Sequence, residues 1–317
     1  MRTGCVQSAP QTLIVRPVAA FAHVCSGPLE PIPGAMTHHS TPLLRTLRYT
    51  LAGLSTALLL AACASAPSSQ DSLASAIAGP QRSDAAKARD VYRHPQGTLQ
   101  FFEIAPTQTV LEIAPGGGWY TDILAPYLHD HGTLYEAEYE SPSPDAAAEE
   151  KAGDAAFARK LAATPAIYGK VVVGTLQAGQ FSGFEANGNV DRVFTFRNIH
   201  NWIKDGQLDA NLRAFYRALK PGGILGVEEH RAAPGTSLQQ MIDSGYVTEA
   251  YVIEHARAAG FELAGSSEVN SNPRDTKDYP HGVWSLPPSY EGGSVDKARF
   301  AAIGESDRMT LRFVKPQ

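Results

Sequence analysis

The chain has 317 residues, 43% of them hydrophobic and 19% charged, a balance that supports a sizeable folded core and excludes disordered, collagenous and coiled-coil classes. Its 27 Lys and Arg stand against 32 Asp and Glu, for a net charge of −5, so no basic field collects phosphodiesters and no nucleic-acid partner is expected. Three cysteines, Cys5, Cys25 and Cys63, form no Cys-x-x-Cys pair, which excludes zinc ribbons and thioredoxin-type motifs. The sequence from Ala64 onwards contains no thiol, a composition that suits an oxidising compartment.

Met36 begins a stretch in which Arg45 and Arg48 precede an uncharged run from Leu51 to Ala62. That run is too short for a membrane span, which needs roughly 20 apolar residues. A basic start, a short apolar centre and small residues instead describe a secretory signal. Residues 1–35 carry no such pattern and read as an over-extended start, with 36–62 as the signal. Leu60-Ala61-Ala62-Cys63 is similar to the bacterial lipobox, which implies cleavage before Cys63 and a lipid on its sulfur. The expected mature chain, with 23 basic and 31 acidic residues and a net charge of −8, is a periplasm-facing lipoprotein. Ala64 after the cysteine favours the outer membrane by resemblance to enteric sorting rules. Residues 63–82, rich in Ser, Ala and Pro, read as a flexible tether. Residues 83–317 read as one domain.

Within that domain the first expected strand is Thr109–Ile113, followed by Gly116-Gly117-Gly118 and a helix through Leu128. Gly132–Glu138 is the second strand, and an alanine-rich helix spans about Ala146–Ala163. Lys170–Gly174 and Val190–Phe196 are the third and fourth strands. Leu208, Leu212, Phe215 and Leu219 fall on one helical face, and Pro221-Gly222-Gly223 ends that helix. Ile224–His230 is the fifth strand, Thr248–Ala259 a helix, Phe261–Val269 the sixth strand and Met309–Val314 the last. This alternation predicts an α/β fold, a doubly wound parallel sheet with helices on both faces.

Ligands of such sheets bind beyond the carboxyl ends of the strands where the strand order reverses. Here that is the turn after the first strand: Glu112 and Ala114 precede Gly116, Gly117 and Gly118, whose backbone can approach a ligand closely. Glu138, twenty residues after Gly118, is placed to accept both hydroxyls of a ribose. A dinucleotide fingerprint fails because its third glycine falls at Thr121. The apolar strand, Glu112, the glycines, Glu138 and Leu219-Lys220-Pro221-Gly222-Gly223 together resemble the class I S-adenosylmethionine-dependent methyltransferases, with Ala114 in place of the first glycine. EIAPGGGWYTDILAPYL, FRNIHNW and LKPGGILGVEEHRA resemble, more narrowly, a bacterial group of predicted and often exported methyltransferases across about residues 85–316. The resemblance implies a single Rossmann-like methyltransferase domain with sheet order 3-2-1-4-5-7-6 and an antiparallel last strand. It implies S-adenosylmethionine as cofactor, held by the glycine turn, Glu138 and Asn198, and methyl transfer to a small molecule or an envelope component.

Methyl transfer is an in-line displacement that mainly requires alignment and exclusion of water, with a base useful where the acceptor starts protonated. His200, after the fourth strand, is the candidate base or orienting group. Glu228 and His230, on one face of the fifth strand by alternation, stand behind it and Trp202 is expected as a wall. His200, Glu228 and His230 also have the composition of a two-histidine, one-carboxylate metal site, although nothing in their spacing enforces one. Asn270–Ser306 is long enough for a lid, with Arg274, Tyr279 and His281 as residues facing substrate, and Arg93, His94 and Pro95 are expected to cover the same cleft from the other side. A non-catalytic binding lipoprotein on the same fold and a metal-dependent enzyme are the competing readings.

Overall fold

The structure, a computed structural model, describes residues 69–317. Its framework is one eight-stranded sheet: β1 (Thr109–Ile113), β2 (Thr133–Tyr139), β3 (Val172–Gln177), β4 (Gln180–Ser182), β5 (Val190–Phe196), β6 (Leu219–His230), β7 (Glu262–Ser267) and β8 (Arg308–Val314). Their order is β4-β3-β2-β1-β5-β6-β8-β7. β1 pairs in parallel with β2 and β5, and β3 and β6 extend the parallel part outwards. β8 runs antiparallel between β6 and β7. The expected order and the antiparallel last strand are therefore present, with one addition. The short strand β4 folds back on β3 across Ala178 and Gly179, both at positive φ, and covers the edge of the sheet.

Alternation along the central strands builds a core on each face. Leu111 and Ile113 of β1 and Leu225 and Val227 of β6 pack with helices Ile199–Lys204, Leu208–Ala218 and Glu249–Ala258. Val110 and Phe194 pack on the opposite face with helices Ser69–Ala78, Pro95–Phe101 and Thr121–Leu128. Gly226 is required there, because a Cβ on it would lie 2.6 Å from the Phe102 ring.

Two expectations change. The stretch read as a tether contains the helix Ser69–Ala78, whose Leu73 is 2% exposed and packs with Ala76 in the second core. Arg82 is likewise buried and grips both carboxylate oxygens of Asp90. The fold thus begins before Ser83, because three apolar side chains at helical spacing, Leu73, Ala76 and Ile77, outweigh the polar composition around them. The strand predicted from Ile224 begins at Leu219, so Pro221-Gly222-Gly223 lies inside an irregular start of β6, where the register with β5 shifts. The signal segment 36–62 and Cys63 lie outside the described residues.

Candidate functional site

The turn after β1 opens a cavity of about 430 Å³, and among its walls are Glu112, Ala114, Gly116, Gly117 and Asn198. Ala114 and Gly116 both take left-handed backbone, at φ 50° and 56°. Ala114 thus holds a glycine-like conformation at a cost of about 1–2 kcal/mol, pinned where its N–H donates to the Ala137 carbonyl over 2.8 Å. Nothing lies within 4 Å of a Cβ placed on Gly116 or Gly117, so the turn presents bare backbone to open space. Asn198 is fixed by donating to the Ile113 carbonyl and the Thr195 hydroxyl.

Gly118 turns away from this cavity and beneath the helix Pro144–Ala163, where its Cβ would meet the Phe157 ring at 2.7 Å. Lys160 of that helix donates to the Gly117 and Gly118 carbonyls and pairs with Asp122 at 2.7 Å. Glu138, the next-to-last residue of β2, does not line the cavity. Burial and the nearby Asp154 and Glu140 raise its pKa, and its Oε1 is buried without a hydrogen-bond partner. The open glycines admit a ligand close to the backbone, whereas the orphaned Glu138 acceptor lies outside that cavity.

Below the turn Glu112 and Glu136 face each other across β1 and β2. Burial pushes Glu112 up to about 7 against the Thr121 hydroxyl, and it raises Glu136 as well, with Glu112 adding to the effect. The pair therefore keeps a proton that an unfolded chain releases near pH 4.5. Between pH 4.5 and about 7 the folded state binds more protons, so this pair's contribution falls as pH rises, by up to about 1.4 kcal/mol per pH unit. His230, held neutral by burial and by neighbouring positive charge, acts oppositely below 6.5. The difference between wild type and Glu136→Gln isolates the pair. The variant should gain stability relative to wild type between about pH 5 and pH 8 in urea denaturation, whereas a constant difference would show that no proton is shared.

A second cavity, of about 300 Å³, adjoins the first, and Arg89, Arg93 and Arg197 line both. His200, His230 and Trp284 complete its inner wall. His200, 8% exposed, contacts the Glu229 Oε1 through Nδ1 at 3.0 Å, while Glu229 Oε2 accepts the backbone N–H groups of Ile199 and His200. The His230 Nδ1 lies 2.6 Å from the Ser306 hydroxyl. Both rings therefore keep Nε2 as the nitrogen not engaged in these contacts, and their centroids are 5.4 Å apart.

Several expected roles are corrected. Glu228 does not support His200: it faces the opposite side of β6 from Glu229, accepts a 2.9 Å hydrogen bond from Tyr120 and pairs with Arg308 at 3.0 Å. The carboxylate that orients His200 is Glu229, one residue on and across the sheet. Trp202 is no wall but fully buried core against Tyr139 and Phe215, since two residues along a helix turn it about 200° from His200. Trp284 takes that place, edge-on to His200 at 5.9 Å. The segment Asn270–Ser306 does cover the second cavity, through Val283, Trp284, Pro287, Pro288 and Ser289. Tyr279 instead packs into a small separate core with Phe300, and Arg274 is exposed and donates to the Ala302 carbonyl. His281, nearly half exposed, faces Glu291. None of these three lines either cavity.

The metal set also changes. His200, Glu229 and His230, not Glu228, bring ligand-type atoms within 4.8 Å of one another. Both Glu229 oxygens are already taken by three N–H groups and the His200 ring, and arginines crowd His230. This donor set fits a hydrogen-bonded histidine better than a cation.

A cavity of about 690 Å³, larger than these two, is an open apolar groove beside helices Leu238–Ser244 and Glu249–Ala258, and it shares no wall with them. The chemistry converges elsewhere.

Neither a sequence-family model nor a curated protein matches the chain. Among solved structures it is similar to the cyclase SpnF at 18% identity and TM-score 0.50, over 79% of this chain and 97% of that one. An S-adenosylmethionine-dependent methyltransferase from Aquifex aeolicus aligns at 15% identity and TM-score 0.48, over 72% and 93%. A protein described as a possible exported protein from Bordetella parapertussis aligns at 17% and 0.43, over 73% and 68%. The chain shares the Rossmann-like α/β fold of the SpnF structure. Its structural neighbours include S-adenosylmethionine-dependent methyltransferases at low identity.

Proposed function

We propose that the protein is an S-adenosylmethionine-dependent methyltransferase, exported and lipid-anchored through Cys63, acting on a small molecule or an envelope component at the periplasmic face of the outer membrane. The observation that carries this reading is the pairing of an open glycine-turn cavity with a second, histidine-lined cavity through shared walls. S-Adenosylmethionine, when bound, would supply an electrophilic methyl group. Gly116, Gly117 and Asn198 would hold it, and Glu138 is the acid this reading assigns to its ribose, although its unpaired Oε1 is buried off the cavity wall. Glu229 orients the His200 ring, so the free Nε2 is the atom available to accept an acceptor's proton. Trp284, Pro287 and Pro288 exclude water from that side.

Incubation of the purified full chain with methyl-labelled donor and an envelope fraction should transfer label, with a loss of about 10²–10⁴ in rate for His200→Asn. Equal labelling by variant and wild type would remove His200 from the reaction. Export and anchoring predict palmitate incorporation that disappears in Cys63→Ser, and equal incorporation in both would end the lipoprotein reading.

A binding protein without turnover is the second reading, favoured by Lys160 lying against the Gly117 and Gly118 carbonyls and by Glu138 standing off the cavity wall. It predicts donor binding with no label transfer to any fraction.

A further inference from the structure

The junction of the two cavities carries more positive charge than the protein neutralises. Among the described residues the carboxylates that pair with Arg89, Arg93, Arg197 and Arg308 are Glu228 and Glu305: Glu305 pairs with Arg89 at 2.6 Å, Arg93 at 3.3 Å and Arg308 at 3.2 Å. Glu228 pairs with Arg308 at 3.0 Å and reaches Arg197 only at 3.8 Å. Four guanidinium groups against these two carboxylates and that of Glu229, which holds the His200 ring, leave a surplus of one positive charge among the described residues, and His230 is neutral.

The surplus has a location. Arg93 is 3% exposed and lines both cavities, yet its Nη1 is buried without a hydrogen-bond partner. Arg197 Nη1 is also buried without a hydrogen-bond partner, its contact with Glu228 Oε1 being 3.8 Å. Burial and Arg197 together push Arg93 down to about 9, so it stays charged at neutral pH. Both side chains are held in place: Arg93 lies over the Trp119 ring at 4.5 Å, and Arg197 sits at φ 63° with its N–H on the Glu228 carbonyl. Unpaired buried guanidinium donors are costly unless something accepts from them. Arginine forks match the oxygens of carboxylates and phosphates. The same surplus repels a divalent cation from His200 and His230.

We infer that the second cavity is an oxyanion subsite, in which Arg93 and Arg197 with Arg89 bind a phosphate or carboxylate of the methyl acceptor and place the acceptor beside His200. The assignment to the acceptor rests on the methyl-transfer reading, whereas the oxyanion site does not.

Inorganic phosphate is the probe, titrated calorimetrically into the full chain with and without saturating S-adenosylhomocysteine. Saturable, salt-sensitive binding is expected, weakened at least about tenfold in Arg197→Gln and in Arg89→Gln and unchanged in the exposed control Arg257→Gln. Arg89→Gln removes a half-buried group, which keeps the test valid if the Arg197 variant fails to fold. No phosphate binding to wild type, or equal losses in the control, overturns the subsite. Retention of phosphate with S-adenosylhomocysteine bound supports the acceptor side. Its displacement shows that the arginines seat the donor's own carboxylate and overturns the acceptor assignment. Phosphate binding without any S-adenosylhomocysteine binding keeps the oxyanion site and removes the methyltransferase reading beneath it.

Discussion

Glu228→Leu is expected to destabilise the folded chain by about 3–5 kcal/mol in urea denaturation. Glu228 is fully buried between β5 and β8, and Arg308, 1% exposed, depends on it and on Glu305 for charge compensation. Removing the carboxylate leaves Arg308 and Arg197 facing each other and leaves the Tyr120 hydroxyl only its 3.5 Å contact to the Arg93 carbonyl. Leucine fills most of the space, so the loss reports charge and hydrogen bonding more than a cavity. Adding Arg308→Met should recover part of it, because an apolar group replaces a buried guanidinium left with Glu305 as its one carboxylate partner among the described residues. A loss under about 1 kcal/mol would mean that water already reaches the cluster.

Gly117→Val is expected to weaken S-adenosylhomocysteine binding by at least about 100-fold, or 2.7 kcal/mol, while moving stability by no more than about 1 kcal/mol. The position combines two properties. Its backbone is outside the left-handed region, so a side chain brings no conformational strain of the kind Gly116 would suffer. Its Cβ would meet nothing within 4 Å, so the isopropyl group projects into the space that the ligand needs. Equal affinity in both proteins would place any nucleoside elsewhere.

The sheet was legible because each central strand carries its own run of branched and aromatic residues and each crossover its own helical stripe. The glycine turn was legible because a close backbone approach has few sequence solutions. The acceptor side was not. Glu228 and Glu229 are neighbours of equal chemistry, and alternation says only that they face opposite sides of β6. Which side receives His200 depends on where the helix Ile199–Lys204 docks, a long-range outcome. Arg89 and Arg93 precede β1 and reach Glu305 across more than two hundred residues, which no local pattern announces. Trp202 carried a readable signal, since helical geometry sets it away from His200. So did Leu73, Ala76 and Ile77, whose spacing marks a packed helix inside an otherwise polar stretch. Tyr279 and His281 were misplaced because the segment Asn270–Ser306 forms its own small core with Ala232 and Tyr246 and reaches the cavity through Trp284 and the prolines after it.

Calorimetric titration of S-adenosylhomocysteine into the full-length protein, with the Gly117→Val variant in parallel, tests the central claim most directly. One saturable site of micromolar affinity in wild type, lost in the variant, is the predicted result. Absence of binding at millimolar ligand, from a protein whose urea transition shows it to be folded, would contradict it.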